Sequence, residues 1–159
     1  MAVINEYLRR QIEAVQTAFW MSNCDAEGTP DLVRVMGVRA EPDGEHLVAF
    51  VPVPYAQNLI AQLAPGSKLT LLHANVRTYV SLQFKGRCVS HRPSTAEEVE
   101  FQRRYMDDFC QEIEDQGLVR EVAFPVLFRQ PSITVVMRVE EVYEQTPKTG
   151  TGGRIHVDQ

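Results

Sequence analysis

Tyr79, Ser81, Gln83 and Lys85 set a phenol, a hydroxyl, an amide and an ammonium on alternate positions of one short stretch. The residues between them, Val80, Leu82 and Phe84, are apolar. Successive side chains of a strand point to opposite faces, so residues 77–90 (RTYVSLQFKGRCVS) read as a strand with one oily and one polar face. A row of that kind can hydrogen-bond a ligand lying along it. It fits equally an antiparallel strand with water on one side, and the residues alone leave both readings open. Gly86 interrupts the run; a glycine inside a strand marks a bulge or the close approach of another backbone or a ligand. Gly37 does the same inside residues 32–40 (LVRVMGVRA).

Other chemistry has thinner support. Ser81 with His73 is conceivable as nucleophile and base on adjacent strands, but the strand-turn-helix motif GxSxG is absent. His46, His73, His91 and His156 are scattered without metal-ligand spacing, which predicts no metal site. Cys24, Cys88 and Cys110 are odd in number, far apart and make no CxxC pair, so they read as small hydrophobes or plain thiols. Tyr79 and Trp20 fit packing or interface aromatics.

The elements that must carry these residues follow from periodicity. Ile4, Leu8, Ile12 and Val15 recur at helical spacing, predicting an amphipathic helix within residues 1–16. Strands are predicted over residues 17–24, 32–40 and 45–53, joined by the short turns DAEG and EPDG, which makes an antiparallel meander. Pro54 opens a helical piece to Leu63, and Ala64-Pro65-Gly66 stops it. A strand over 67–74 leads into the polar-faced one. Ser94-Thr95 followed by Glu97-Glu98 reads as a capping box opening a helix to Gln116, with Gly117 as its stop. A short helix over 118–124 and a strand over 132–144 complete the order. The glycine-rich tail, residues 146–159, is expected to be flexible.

The chain has 159 residues, 44% hydrophobic and 23% charged, with net charge -5 and a pI of about 5.4. That suits a single domain, 1–159, and disfavours nucleic-acid or membrane-surface partners. The absence of a signal-like start and of an apolar span predicts a cytoplasmic location. Six strands with few helices favour a closed or nearly closed barrel.

The order strand, DxxG turn, strand, PDG turn, strand, helix with AP, strand and then TYVSLQFKG resembles the pyridoxamine 5'-phosphate oxidase family of FMN-binding split barrels. The tail QTPKTGTGG is similar to that family's QTPGPGAG ending. The resemblance spans residues 17–154 and implies a mainly β, six-stranded antiparallel Greek-key split barrel with flanking helices. It further implies a homodimer with FMN in the cleft between subunits, acting as a flavin-dependent oxidoreductase on a small molecule. It places the flavin ring against Arg34, Val35, Met36 and Gly37. The phosphate and ribityl chain fall near Val53, Tyr55, Gln57 and Asn58, and hydrogen bonds come from Ser81, Gln83 and Lys85. Many members carry Ser-x-Lys or Ser-x-Arg where this chain has Tyr55-Ala56-Gln57-Asn58, so the cation for a phosphate of about two charges would come from Arg34, Arg77 or Lys85. On this placement Gly37→Val should abolish FMN binding and leave the fold largely intact. Two other readings accompany it: a non-catalytic flavin or haem-type carrier, and a dimeric barrel that has lost its cofactor.

Overall fold

The computed structural model of the chain describes residues 3–149 and 152–155. Helix α1 (Glu6–Glu13) opens on Asn5, whose Oδ1 accepts the Leu8 N–H at 2.9 Å, satisfying one of the free donors of a helix start. It buries Leu8 and Ile12 completely. Strands β1 (Thr17–Cys24), β2 (Pro30–Arg34), β3 (Val38–Ala40) and β4 (His46–Pro52) follow. A single 3-10 turn (Val53–Tyr55) and α2 (Gln57–Ala61) replace the longer helix expected there. Then come β5 (Lys68–Asn75), β6 (Ser81–Pro93), α3 (Ala96–Glu112), α4 (Arg120–Leu127) and β7 (Ser132–Glu144).

The seven strands form one antiparallel sheet in the order β2-β1-β5-β6-β7-β4-β3. The expected six became seven because the predicted strand 32–40 breaks at Gly37. Its φ of +119° lies where L side chains rarely go. The break lets one chain segment serve both edges of the sheet. The Val35 N–H donates to the Phe19 carbonyl on β1 at 3.0 Å, and the Met36 N–H donates to the Phe50 carbonyl on β4 at 2.7 Å. The sheet is thus curled until its edges are adjacent but share no continuous ladder. Phe19, Met21, Leu47, Val51, Leu71 and Phe84 fill the inside.

The alternation read in the polar-faced strand holds from Ser81 onward: Leu82, Phe84, Gly86 and Cys88 are buried while Ser81, Gln83, Lys85 and Arg87 face outward. The strand starts four residues later than predicted. Asn75 Oδ1 accepts the N–H groups of Arg77 and Thr78 (2.9 and 3.0 Å) and holds a turn in which Tyr79 has φ +61° and is 71% exposed. Gly86 marks a bulge between β6 and β7, where an added Cβ would lie 1.9 Å from the Arg138 carbonyl oxygen.

The capping box is present. Thr95 Oγ1 accepts the Glu98 N–H, and Glu98 Oε2 accepts the Thr95 N–H at 2.8 Å. Glu98 is nearly buried and also takes two N–H donors from Arg92 (2.8 and 2.7 Å) and the Thr134 hydroxyl at 2.8 Å. The Arg92 guanidinium, helped by those further donors, holds its carboxyl at about 2. This ties the start of α3 to β6 and β7, and the helix then runs across the outside of the barrel. Part of the tail is ordered: the Glu144 N–H donates to the Gly153 carbonyl and the Ile155 N–H to the Val142 carbonyl, with a bridge between Tyr143 and Arg154. Residues 150–151 and 156–159 of that tail, His156 included, lie outside the described residues. No helix among the described residues is long and apolar enough to cross a membrane.

Candidate functional site

Directly opposed residues of neighbouring strands point to the same face. The register Arg34–Trp20–Leu72–Gln83–Tyr143 therefore puts Arg34 and Gln83 on the outer surface of the barrel, in one lateral row. They are three strands apart, roughly 14 Å at the usual strand spacing. Ser81 and Lys85 flank Gln83 on the same strand. Their partners lie at the far end of β7: the Ser81 N–H donates to Thr146 Oγ1 at 3.0 Å, Gln145 Nε2 donates to Gln83 Oε1 at 3.4 Å, and the Lys85 ammonium sits 4.6 Å from the Tyr143 ring centroid.

Of the three cations considered for a phosphate, two are spent. Arg77 donates to Asp115 at 2.6 Å and to the Glu112 carbonyl, which fastens the turn before β6 to the end of α3. Lys85 is on the aromatic face just named. Arg34 differs. Its guanidinium lies 4.5 Å from the Phe109 ring centroid and 5.6 Å from that of Trp20, and its buried Nε and Nη2 have no hydrogen-bond partner. Burial pulls its pKa below the ordinary arginine value. A buried, unpaired guanidinium is expensive, and most of that cost disappears when an anion or carbonyl oxygen reaches it.

Arg34 lines a cavity of about 570 Å³ whose other walls are largely apolar: Val76, Phe109 and Ile113 on one side, and Leu118, Val122, Val126 and Leu127 from the α4 segment on the other. Gln116 is the only other polar residue of that wall. Leu127 packs both on this side and on the neighbouring cluster of Met36, Val48, Phe50 and Met106. Past it, the Arg129 N–H donates to Met36 Sδ at 3.2 Å and Arg129 Nε donates to the Tyr55 hydroxyl at 2.9 Å. The structure thus joins Arg34, Met36 and Tyr55 through the end of α4. It also sets an exposed cation, Arg129, beside the 53–58 segment, where Val53 is half-buried and Tyr55, Gln57 and Asn58 are exposed. Sequence reasoning passed over Arg129, because a single basic residue after an apolar run carries no distinguishing signal.

Residues 35–37 do not present an open face. Val35 and Met36 are buried. A Cβ on Gly37 would meet Phe101 at 3.1 Å and Tyr105 at 3.2 Å, both from α3. Tyr105 is anchored there: its hydroxyl donates to the Thr17 carbonyl at 2.6 Å, and burial pushes its pKa up to about 12. A flat ring cannot lie on Gly37 while these two side chains hold their places.

An FMN-sized group needs an anion site, a flat apolar wall and further donors at the rim. The Arg34 cavity meets the first two and Gln116 is the further polar group on its wall, so the residues fit such a group at Arg34 and not at Gly37.

No protein-family model matches the sequence, and no curated protein matches it. Solved structures do. HupZ from Group A Streptococcus superposes with TM-score 0.55 at 13% identity, over 95% of this chain and 99% of that one. An F420 reductase gives 0.52 at 14% identity, over 87% and 98%. A pyridoxamine 5'-phosphate oxidase candidate from Lactobacillus delbrueckii gives 0.51 at 16% identity, over 90% and 95%. Identities this low speak for architecture alone, and in architecture the chain is a split barrel of the pyridoxamine 5'-phosphate oxidase type.

Proposed function

We propose that this chain binds FMN beside Arg34 and serves as a flavin-dependent oxidoreductase for a small molecule, working as a homodimer. The observation that carries the reading is the Arg34 guanidinium, buried against Trp20 and Phe109 with two nitrogens unpaired and an apolar cavity of about 570 Å³ in front of it. An anionic, flat, largely apolar molecule answers each of those features. The names of the F420 reductase and the pyridoxamine 5'-phosphate oxidase candidate point to the same ligand class.

Bound FMN would supply hydride transfer, and the chain's residues would bind and shield it. Arg34 neutralises the anionic end or donates to a ring carbonyl. Phe109, Ile113, Val122 and Val126 keep water from the ring. Arg129, held by Tyr55, is a further exposed cation beside the 53–58 segment. Support for a second subunit comes from α4 and its surroundings: Val119, Val122 and Val126 repeat at helical spacing and are 57%, 67% and 54% exposed, with Leu118 beside them. An apolar strip of that kind suits burial against another copy.

The test is the absorbance spectrum of the purified chain, then addition of FMN with thermal unfolding as a second readout. The expected result is a yellow protein releasing FMN on denaturation, or a stabilisation of about 2.7 kcal/mol at 100-fold excess over Kd. Bleaching by a reduced nicotinamide or substrate separates an oxidoreductase from a carrier. A colourless protein with no FMN-dependent shift, or a haem spectrum, would overturn the reading.

A further inference from the structure

We propose that a second cleft, between α1, β3 and α3, binds a small aromatic carboxylate. Its volume is about 500 Å³, within the range of small-molecule sites. Ile12, Val38 and the rings of Phe101 and Tyr105 form its apolar walls, and Arg39 and Arg104 stand at its rim.

Most arginines of the molecule are paired, and Arg39 and Arg104 are, with Arg10 and Arg34, the exceptions among the described residues. Arg77 pairs with Asp115, Arg87 and Arg138 with Glu140, Arg92 with Glu98, Arg103 with Glu100, Arg120 with Asp107 and Arg154 with Glu141. Arg9 pairs with Glu13 and donates to the carbonyls of Ala40 and Glu41 at 3.0 and 2.7 Å, which fixes α1 against β3. Acidic residues outnumber basic ones, 21 to 16, so acceptors are plentiful. Arg39 and Arg104 nevertheless make no ion pair or hydrogen bond among the described residues. The Arg39 guanidinium is laid against the Phe50 and Phe101 rings, 5.4 Å from each centroid, which steadies it between this cleft and a neighbouring one lined by Glu41, Asp43 and Glu98. Arg104 projects from α3 one turn before Asp108 without pairing to it.

The two forks match a planar carboxylate, and the aromatic walls match a ring attached to it. Two acidic side chains at the same rim, Glu13 and Asp108, disfavour a multiply charged group such as a phosphomonoester. Arg34 takes no part in this cleft, so the site stands apart from the flavin reading.

Isothermal titration of the full-length chain with naphthalene-2-carboxylate, against the uncharged naphthalene-2-carboxamide, tests it. The acid should bind about tenfold tighter than the amide. Arg104→Gln, an exposed position that leaves folding alone, should erase that preference, and Arg39→Gln should do the same. Arg34→Gln should leave it untouched. Equal affinity for acid and amide, no binding of either, or a preference lost in Arg34→Gln and kept in Arg104→Gln would each overturn the proposal.

Discussion

Two halves of the barrel's outer surface are treated in opposite ways. On the half formed by β4 and the link after β2, Met36, Val48 and Phe50 point outward yet are buried, because α3 and α4 lie over them with Phe101, Met106, Phe124 and Phe128. The half formed by β1, β2, β5 and β6 is covered only along one edge, where Phe109 and Ile113 at the end of α3 reach Ala18, Trp20 and Arg34; Leu32 is 54% exposed and Leu72, Gln83 and Lys85 are half-buried. The first half behaves as a second core. The second stays largely a solvated face. Arg34 sits on the seam, covered enough to lose its water and too far from any carboxylate to be paired, and binding chemistry is expected where burial and unmet polarity coincide.

Several changes would break or sharpen that contrast. The largest effect belongs to Gly86→Ala: the new methyl would collide with the Arg138 carbonyl, and the β6–β7 ladder, which both halves share, should lose more than about 3 kcal/mol in urea unfolding. A loss under about 1 kcal/mol would mean the bulge is softer than drawn. Gly37→Ala probes the covered half. Its positive φ and the contacts with Phe101 and Tyr105 predict a cost of about 2 kcal/mol. The sequence-based expectation for this position, a variant that folds normally and only loses the flavin, is revised accordingly.

Glu98→Gln should cost about 2 kcal/mol, since it weakens the charge-assisted bonds anchoring α3. The same carboxylate sets an acid limit. With its pKa held at about 2 in the folded chain and 4.5 as the ordinary value, its contribution is complete above pH 4.5 and is lost as pH falls toward 2. Urea midpoints across that range should flatten in the variant.

Arg34→Leu should raise the stability of the ligand-free chain by about 1 kcal/mol, because it removes an unpaired charge from apolar surroundings. It should also abolish any FMN-dependent shift. A destabilised variant would show that Arg34 is a structural rather than a binding residue. The smallest effect concerns His73 inside the barrel, where its Nε2 meets the Gln11 carbonyl at 2.9 Å and burial lowers its pKa below 6.5. The unfolded chain takes up the proton first, so stability should be complete above pH 6.5 and decline as pH drops below it. His73→Phe should remove that slope.

Local pattern decided a good deal. The period-2 alternation after Ser81 is written in neighbouring residues and the structure reproduces it, and that of β7 holds from Val135 to Val139, while Ser132 and Thr134 before it are buried as well. The Thr95–Glu98 capping box is equally local, since a hydroxyl and a carboxylate three positions apart find each other's backbone in any helix start. The hairpins β1–β2 and β3–β4 followed from short turns. The expected three-strand meander did not form as such, since its middle strand divides at Gly37 between the two edges of the sheet, and the split-barrel architecture came from the family resemblance. What local pattern could not supply was which surfaces meet. Gly37 read as a bare place for a ring, but α3 arrives from more than sixty residues away and fills it with Phe101 and Tyr105. Arg77 read as a free cation until the end of α3 brought Asp115 to it. Arg34 was one of three candidate cations until burial against Trp20 and Phe109 left it alone without a partner, and Arg129 became notable only when the fold brought it to Tyr55. Spacing along the chain specifies hydrogen bonds between near neighbours; charge pairing and desolvation depend on contacts between remote segments, and those exist only after the barrel has closed.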